Sequence, residues 1–342
     1  MSRDRILCIS VDGALNGGIQ NFCKILVNHY QIENYWIFSK TTSLVPCNKT
    51  FKVVGTPPIY IFNFFKLGYL LFRHSKSTIF LNDPQLTSIS LLTIFFSFLF
   101  KNKVVFISHG FLFHNDPKSF VKKFYFRYIC IPLFKRINLV CVSQNDEKIL
   151  RRYNFKHYYL ILHGFNTNSH AENNFYDFVC IGRNVPHKNI LTFLSFIRKV
   201  KKIKKDVKAV VITDQLSIDA SLKESLGDSL DILTNVSSQE LTSTLCKSKY
   251  IVSFSSYEGF GMAVMEAVLS GCCPILYGNS SFIEIFNDYP DCIFCVNSSS
   301  NALEAYLNLE RQFNSINKDL DQIRTRFSVG RMLDEYDRLI MK

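Results

Sequence analysis

A chain of 342 residues has room for two domains, and with 47% of it hydrophobic it can bury a core in each. Eleven cysteines without a CxxC or Cys/His ligand spacing argue against a zinc module and read as small buried hydrophobes of an intracellular protein. The net charge of +12 sits wholly in the first half: residues 1–170 carry 21 Lys or Arg against 7 Asp or Glu, whereas residues 171–342 carry 19 against 21. Such a basic half suits phosphorylated ligands or anionic lipid. Nucleic acid is not expected, because no recognised RNA-binding module is present.

Only six residues separate Arg5 from Asp12, too few for a signal-peptide core. No run reaches the roughly 18–20 apolar residues of a spanning helix. The nearest, residues 89–100, is expected as a buried helix. A cytoplasmic location follows as the expectation.

In chain order, strands are expected at 5–10, 77–81, 103–107, 138–142 and 157–162. Helices are expected at 18–30, 84–101, 118–134 and 143–153, the last opened by Ser143 as N-cap. Residues 40–58 give no clear pattern. Residues 171–176 are polar and read as an inter-domain linker. The alternation then restarts, with strands at 178–181, 207–213, 230–233, 250–253, 273–276 and 292–296. Helices lie between them at 188–205, 215–227, 238–247, 260–270 and 281–287, and a helical tail runs to Lys342. Repeated strand–helix alternation argues for parallel sheets covered on both faces, and two such series for two doubly wound domains. Ligands of these folds sit at the carboxyl ends of the strands.

The strongest chemical signal is YIVSFSSYEGFGMAVMEAVLSGCCPI, residues 250–275. A strand runs into a small polar turn, then Glu258, Gly259, Phe260 and Gly261, then a helix carrying Met262 and Glu266. The glycines allow close backbone approach, and the helix start presents free N–H groups to an anion. The two carboxylates can accept hydrogen bonds from paired hydroxyls of a sugar or ribose.

This segment resembles the Glu-x7-Glu motif of retaining glycosyltransferases of family 4, which adopt the GT-B fold. FVCIGRNVPHKNI at 178–190 resembles that family's strand, Gly-Arg and Lys segment. CVSQNDEKIL at 141–150, LILHGFN at 160–166 and GALNGGIQNF at 13–22 resemble others in the right order. The resemblance implies two facing Rossmann-like domains with a C-terminal helical tail. It places an acceptor-side domain at 1–165, a nucleotide-sugar domain at 171–325, and a helix at 326–342 packing back on the first. It implies that Arg183 and Lys188 contact the donor diphosphate, that Glu266 holds the ribose and Glu258 the donor sugar. Backbone N–H groups of Phe260, Gly261 and Met262 would touch sugar and phosphate, and Asn235 and Val236 would read the base. Gly17 and Gly18 would form the first loop against the donor phosphates, and His109 would stand beside the donor sugar. No metal or cofactor is implied beyond a UDP- or GDP-linked sugar as substrate.

Residues 114–138 interleave Lys118, Lys122, Lys123, Arg127, Lys135 and Arg136 with Phe and Tyr. Such a helix can lie on an anionic membrane surface, or its bases can be the solvated face of an ordinary Rossmann helix. The expected activity is hexosyl transfer, with retention, to a lipid-linked, lipopolysaccharide or polysaccharide acceptor at the inner face of a membrane. A sugar-nucleotide epimerase of the same fold and a non-catalytic nucleotide-sugar-binding protein are the alternatives.

Overall fold

The computed structural model describes residues 6–11, 18–31, 33–37, 65, 67–82, 88–111, 120–166, 175–216, 218–286, 294–296, 302–304, 306–308 and 317–341. The chain divides into two compact units: Met1–Gly164 with Met332–Lys342, and Phe165–Arg331.

Unit 1 contains β1 (Ile6–Val11), α1 (Gly18–Tyr30), β2 (Glu33–Ile37), α2 (67–73), β3 (Thr78–Asn82), α3 (Ser88–Leu99) and β4 (Lys103–Ser108). A helix then runs as α4 (Phe120–Tyr125), a π-helical turn at Phe126–Cys130, and α5 (Ile131–Phe134). β5 (Asn138–Cys141), α6 (Gln144–Arg152) and β6 (Tyr158–Leu160) complete the sheet, in the order β2-β1-β3-β4-β5-β6, with every pair parallel. β-branched and aromatic runs such as TIFLN and KVVFIS are buried on both faces, as a parallel sheet covered by helices requires. Successive residues feed opposite cores. Ile79, Leu81, Val104 and Phe106 pack with Leu70 of α2, Ile94 of α3, Phe126 and Phe134. Phe80, Val105 and Ile107 pack with Phe22 and Leu26 of α1 and with Met332, Tyr336 and Leu339.

Unit 2 contains β7 (Tyr176–Ile181), α7 (Ile190–Lys201), β8 (Ala209–Thr213), α8 (Ala220–Leu226), β9 (Leu230–Thr234), α9 (Ser238–Cys246) and β10 (Ser248–Ser253). α10 (Met262–Leu269), β11 (Cys273–Tyr277), α11 (Ser280–Phe286), β12 (Phe294–Val296), the helical stretches 302–304 and 306–308 (α12) and α13 (Asn317–Arg326) follow. Its parallel strands run β12-β11-β10-β7-β8-β9. The last helix, α14 (Val329–Met341), starts in unit 2 and ends in unit 1.

Helix starts follow the local chemistry. The Ser143 hydroxyl accepts from Asp146 N at 3.2 Å to open α6. Ser237 and Glu240 form a reciprocal capping box on α9.

Several elements differ from the sequence expectation. β2 and α2 were not anticipated: β2 is an edge strand that gains its order from pairing with β1, and α2 carries Gly68 amid aromatics of modest helix propensity. The helix expected over 118–134 is interrupted by the π turn. Pro132, in the first turn of α5, would clash in regular α geometry with the carbonyl four residues back, and the wider turn relieves it. The helix expected from Lys188 begins only at Ile190, after a 3-10 turn over Pro186–Lys188 and a left-handed Asn189. Tyr176 belongs to β7 rather than to a linker, and 40–58 and 171–174 lie outside the described residues. The helix expected to be buried at 89–100 exposes Phe95 and Leu99, at 59% and 62%. No helix among the described residues is long and apolar enough to cross a membrane.

Candidate functional site

In unit 2 the chain leaves β7 towards β8 and β9, then returns to place β10 on the other side of β7. Helices following β7 and β10 diverge from such a reversal, and the crevice at the carboxyl ends of the two strands is where doubly wound sheets bind ligands. The two loops that open there are those singled out in the sequence.

The β7–α7 loop carries Gly182, an exposed Arg183 and Lys188. Asp214, just past β8, holds the loop by accepting from Asn184 N at 2.8 Å, and this bond draws its carboxyl below the usual range. Asn189 takes φ of 51°, a left-handed turn that Asn tolerates, and its amide donates to Phe254 O at 2.9 Å. Ser256 N donates to His187 O at 2.9 Å, so the two loops are stitched together by backbone. The Lys188 ammonium donates to Glu258 Oε1 at 2.6 Å. Both side chains are largely buried, at 18% and 13% exposed. The Lys188 stem lies over Gly182, where an added Cβ would meet its Cδ at 3.2 Å. Burial lowers the imidazolium tendency of His187, Lys188 and Arg183 lower it further, and Glu258 opposes them. Two cations, Arg183 and Lys188, thus stand at the loop with two carboxylates, Glu258 on the Lys188 ammonium and Asp214 on the backbone of Asn184.

The β10–α10 loop supplies the helix start. Gly261 has φ of +87°, and a Cβ there would lie 2.6 Å from Phe282 Cε1, so glycine is required twice over. The N–H groups of Met262, Ala263 and Val264 precede the first i−4 bond, which Met265 N makes to Gly261 O at 3.0 Å, and this leaves the positive end of α10 for an anion. The Phe260 side chain is buried against Phe165 and Phe327, leaving only its backbone for a ligand. Met262, Ala263 and Glu266 form the half-buried face of α10, while Val264, Met265, Ala267 and Val268 enter the core. Val236 is half-buried just past β9, beside Asn235 with φ of 55°.

Sequence reasoning missed the residues that hold this loop. The Ser281 hydroxyl donates to Glu258 O at 2.6 Å, and the Asn279 amide donates to Ser255 O at 2.9 Å. Asn279 also caps α11 by accepting from Phe282 N at 2.9 Å. An Asn at the start of a helix just after a strand was the available signal.

In unit 1, Gly18 opens α1 after β1, and Gly17 lies outside the described residues. His109 follows β4. Its Nε2 meets Asn82 Oδ1 at 3.0 Å, while Asn82 Nδ2 donates to Cys8 Sγ at 3.4 Å. That network makes Nε2 the protonated nitrogen and leaves Nδ1, buried without a hydrogen-bond partner among the described residues, as an acceptor. The ring stacks on His163 at 5.4 Å. Asp146, fully buried, fixes the segment on both sides of His109 by accepting from Ser108 Oγ at 2.6 Å and from Phe111 N at 3.1 Å.

Burial pushes the His109 pKa down to about 3. Unfolded, the same ring takes up a proton near pH 6.5. Between those values the unfolded chain binds more protons, so stability falls as pH falls, by up to about 1.4 kcal/mol per unit. Urea unfolding from pH 7 to pH 5 should show that loss in the wild type and a flatter profile in His109→Gln. Parallel profiles would mean that the ring titrates freely in the folded state.

The comparison with known families centres on unit 2. Residues 165–312 match the family described as "Glycosyl transferases group 1". The match is to less than half of the chain and spans both loops of the crevice. No curated protein matches the sequence. Sucrose-phosphate synthase from Thermosynechococcus elongatus is similar in structure, with a TM-score of 0.76 at 15% identity, over 99% of this chain and 98% of that one. A glycosyltransferase from Rickettsia africae gives 0.74 at 16%, over 99% and 98%. The lipopolysaccharide outer core galactosyltransferase WaaB in its apo form gives 0.66 at 13%, over 98% and 99%. At these identities the likeness shows the fold, which is GT-B.

Proposed function

We propose that the chain is a retaining glycosyltransferase that moves a hexose-type sugar from a UDP- or GDP-sugar to a lipid-linked, lipopolysaccharide or polysaccharide acceptor. The observation that carries this reading is the Lys188–Glu258 pair at the crevice of unit 2, within the segment that matches the group 1 glycosyl transferases. The galactosyltransferase of the same fold supports the acceptor class.

In this reading the donor diphosphate displaces Glu258 from Lys188 and lies between Lys188, Arg183 and the start of α10. The bond from the anomeric carbon to the diphosphate oxygen breaks and its electron pair goes to the leaving phosphate. Fixed cations and N–H donors stabilise the charge that develops there. The acceptor hydroxyl attacks from the same face, and its proton passes to the leaving phosphate. Glu258, released from Lys188, accepts from donor-sugar hydroxyls, and Glu266 from those of the ribose. Residues 120–129 expose Phe120, Val121, Phe124, Tyr128 and Ile129 beside Lys122 and Arg127, which fits contact with an anionic membrane surface.

The ion pair gives the two glutamates opposite signatures. Glu258→Gln removes a charge that repels the diphosphate and competes for Lys188. It should bind free nucleoside diphosphate several-fold more tightly while losing turnover. Glu266→Gln should weaken nucleoside diphosphate and full donor alike. Calorimetric titration of both variants with UDP, GDP and their sugars tests the split; equal changes for the two variants would end it.

A further inference from the structure

A cleft of about 670 Å³ opens in unit 1 at the edge of the sheet where the strands begin, opposite the edge that carries His109. The first residues of three strands line it: Lys103 of β4, Asn138 of β5 and Tyr158 of β6. Lys135 and Arg136 come from the turn after α5, and Lys156 precedes β6. Among the described residues no carboxylate lines the cleft. The Lys103 ammonium is committed to Leu339 O and Ile340 O, at 3.4 and 3.2 Å. Lys135, Arg136 and Lys156 are exposed. Glu147 accepts from the Tyr158 hydroxyl at 2.6 Å but is already neutralised by Arg151. A concave surface with three exposed cations and no acid among the described residues of its walls focuses positive potential and suits a phosphate ester.

The surroundings choose the source of that phosphate. Phe98 of α3 forms part of the wall, and its neighbours Phe95 and Leu99 point outwards on the same helix. α2 lies next to α3, with Phe72 against Phe100 at 5.5 Å. Phe65, Tyr69 and Phe72 of that neighbouring stretch are exposed at helical spacing. Phe120, Phe124 and Tyr128 repeat the pattern beyond α3, in helices sharing the same core. Residues 65–136 carry eleven Lys or Arg against only Asp83 and Asp116. A soluble phosphate would cover the cations and leave three aromatic stripes in water. An anionic bilayer covers both.

We propose that this cleft seats the headgroup phosphate of an anionic phospholipid while the outward aromatics of α2, α3 and α4 enter the interfacial layer of the same leaflet. The choice of occupant rests on the membrane reading above. The cleft residues are independent of the donor crevice.

The test is vesicle sedimentation of the full chain with phosphatidylglycerol–phosphatidylcholine or pure phosphatidylcholine vesicles, with and without soluble glycerol phosphate. Circular dichroism and thermal melting of each variant against the wild type serve as the check on folding. Arg136→Gln with Lys156→Gln should weaken binding to the anionic vesicles about 25-fold, at roughly fivefold for each base near the surface. Phe95→Ser with Leu99→Ser should weaken binding to both vesicle types in a way that low salt does not restore. If the wild type binds anionic vesicles and the cleft variant binds them equally well, the cleft assignment is overturned and the membrane reading stands. If the wild type binds no vesicle, both fall. If glycerol phosphate alone binds the wild type and not the cleft variant, while both bind vesicles alike, the occupant is a soluble phosphate and the lipid proposal is overturned.

Discussion

Replacing Lys188 with Met should cut turnover by about a hundredfold or more, the usual loss when a preorganised donor to a developing anion is removed. The same change strands Glu258, which is only 13% exposed, beside an apolar side chain. Some loss of stability is therefore expected along with the lost turnover. The double variant Lys188→Met, Glu258→Gln separates the two effects, because it leaves no unpaired charge. Its thermal stability should return towards wild type while its turnover stays low. Turnover recovering with stability would mean that Lys188 only braces the loop and touches no donor.

Gly261→Ala should be strongly damaging to unit 2. It places a Cβ 2.6 Å from the buried Phe282 ring at a backbone φ of +87°. The left-handed conformation alone costs an L-residue roughly 1–2 kcal/mol, and overpacking adds about 1–3. For a unit of this size, about 3 kcal/mol lowers the melting temperature by roughly 6–12 °C. Phe282 packs behind the loop that presents the start of α10, so nucleoside diphosphate affinity should fall as well. Melting and affinity both unchanged would show that the loop relaxes freely and that its geometry does not set the site.

Unit 2 was the more legible half because its elements are short, buried and bounded by strong local signals. β8, AVVIT, reads as a strand in both faces of its sheet and is fully buried. Ser237 with Glu240 announces the start of α9 before any tertiary contact is considered. The two loops of the crevice were likewise visible, but the direct bond between Lys188 and Glu258 was not, since seventy residues separate them and only the β7–β10 pairing brings them together. The supports were hidden for a related reason. Asp214, Asn279 and Ser281 act by holding backbone atoms of other loops; the sequence marks Asn279 as a helix cap, but not the bond it makes to Ser255 O, and it marks neither Asp214 nor Ser281. In unit 1 the hydrophobic pattern misled: the Phe-rich run at 89–100 has the composition of a core helix, yet one side of α3 faces outwards. Composition alone cannot distinguish a helix buried all round from one with an apolar outer face.

The most direct test of the central claim is to follow a panel of UDP- and GDP-sugars by NMR in the presence of the chain, with and without a lipid-linked acceptor. The proposed activity predicts that at least one donor loses its sugar, with nucleoside diphosphate released and the anomeric configuration retained in the product. Lys188→Met should abolish that release. Donors that stay intact under both conditions, or a sugar that changes configuration while still attached to its nucleotide, would contradict it, the second result pointing to an epimerase.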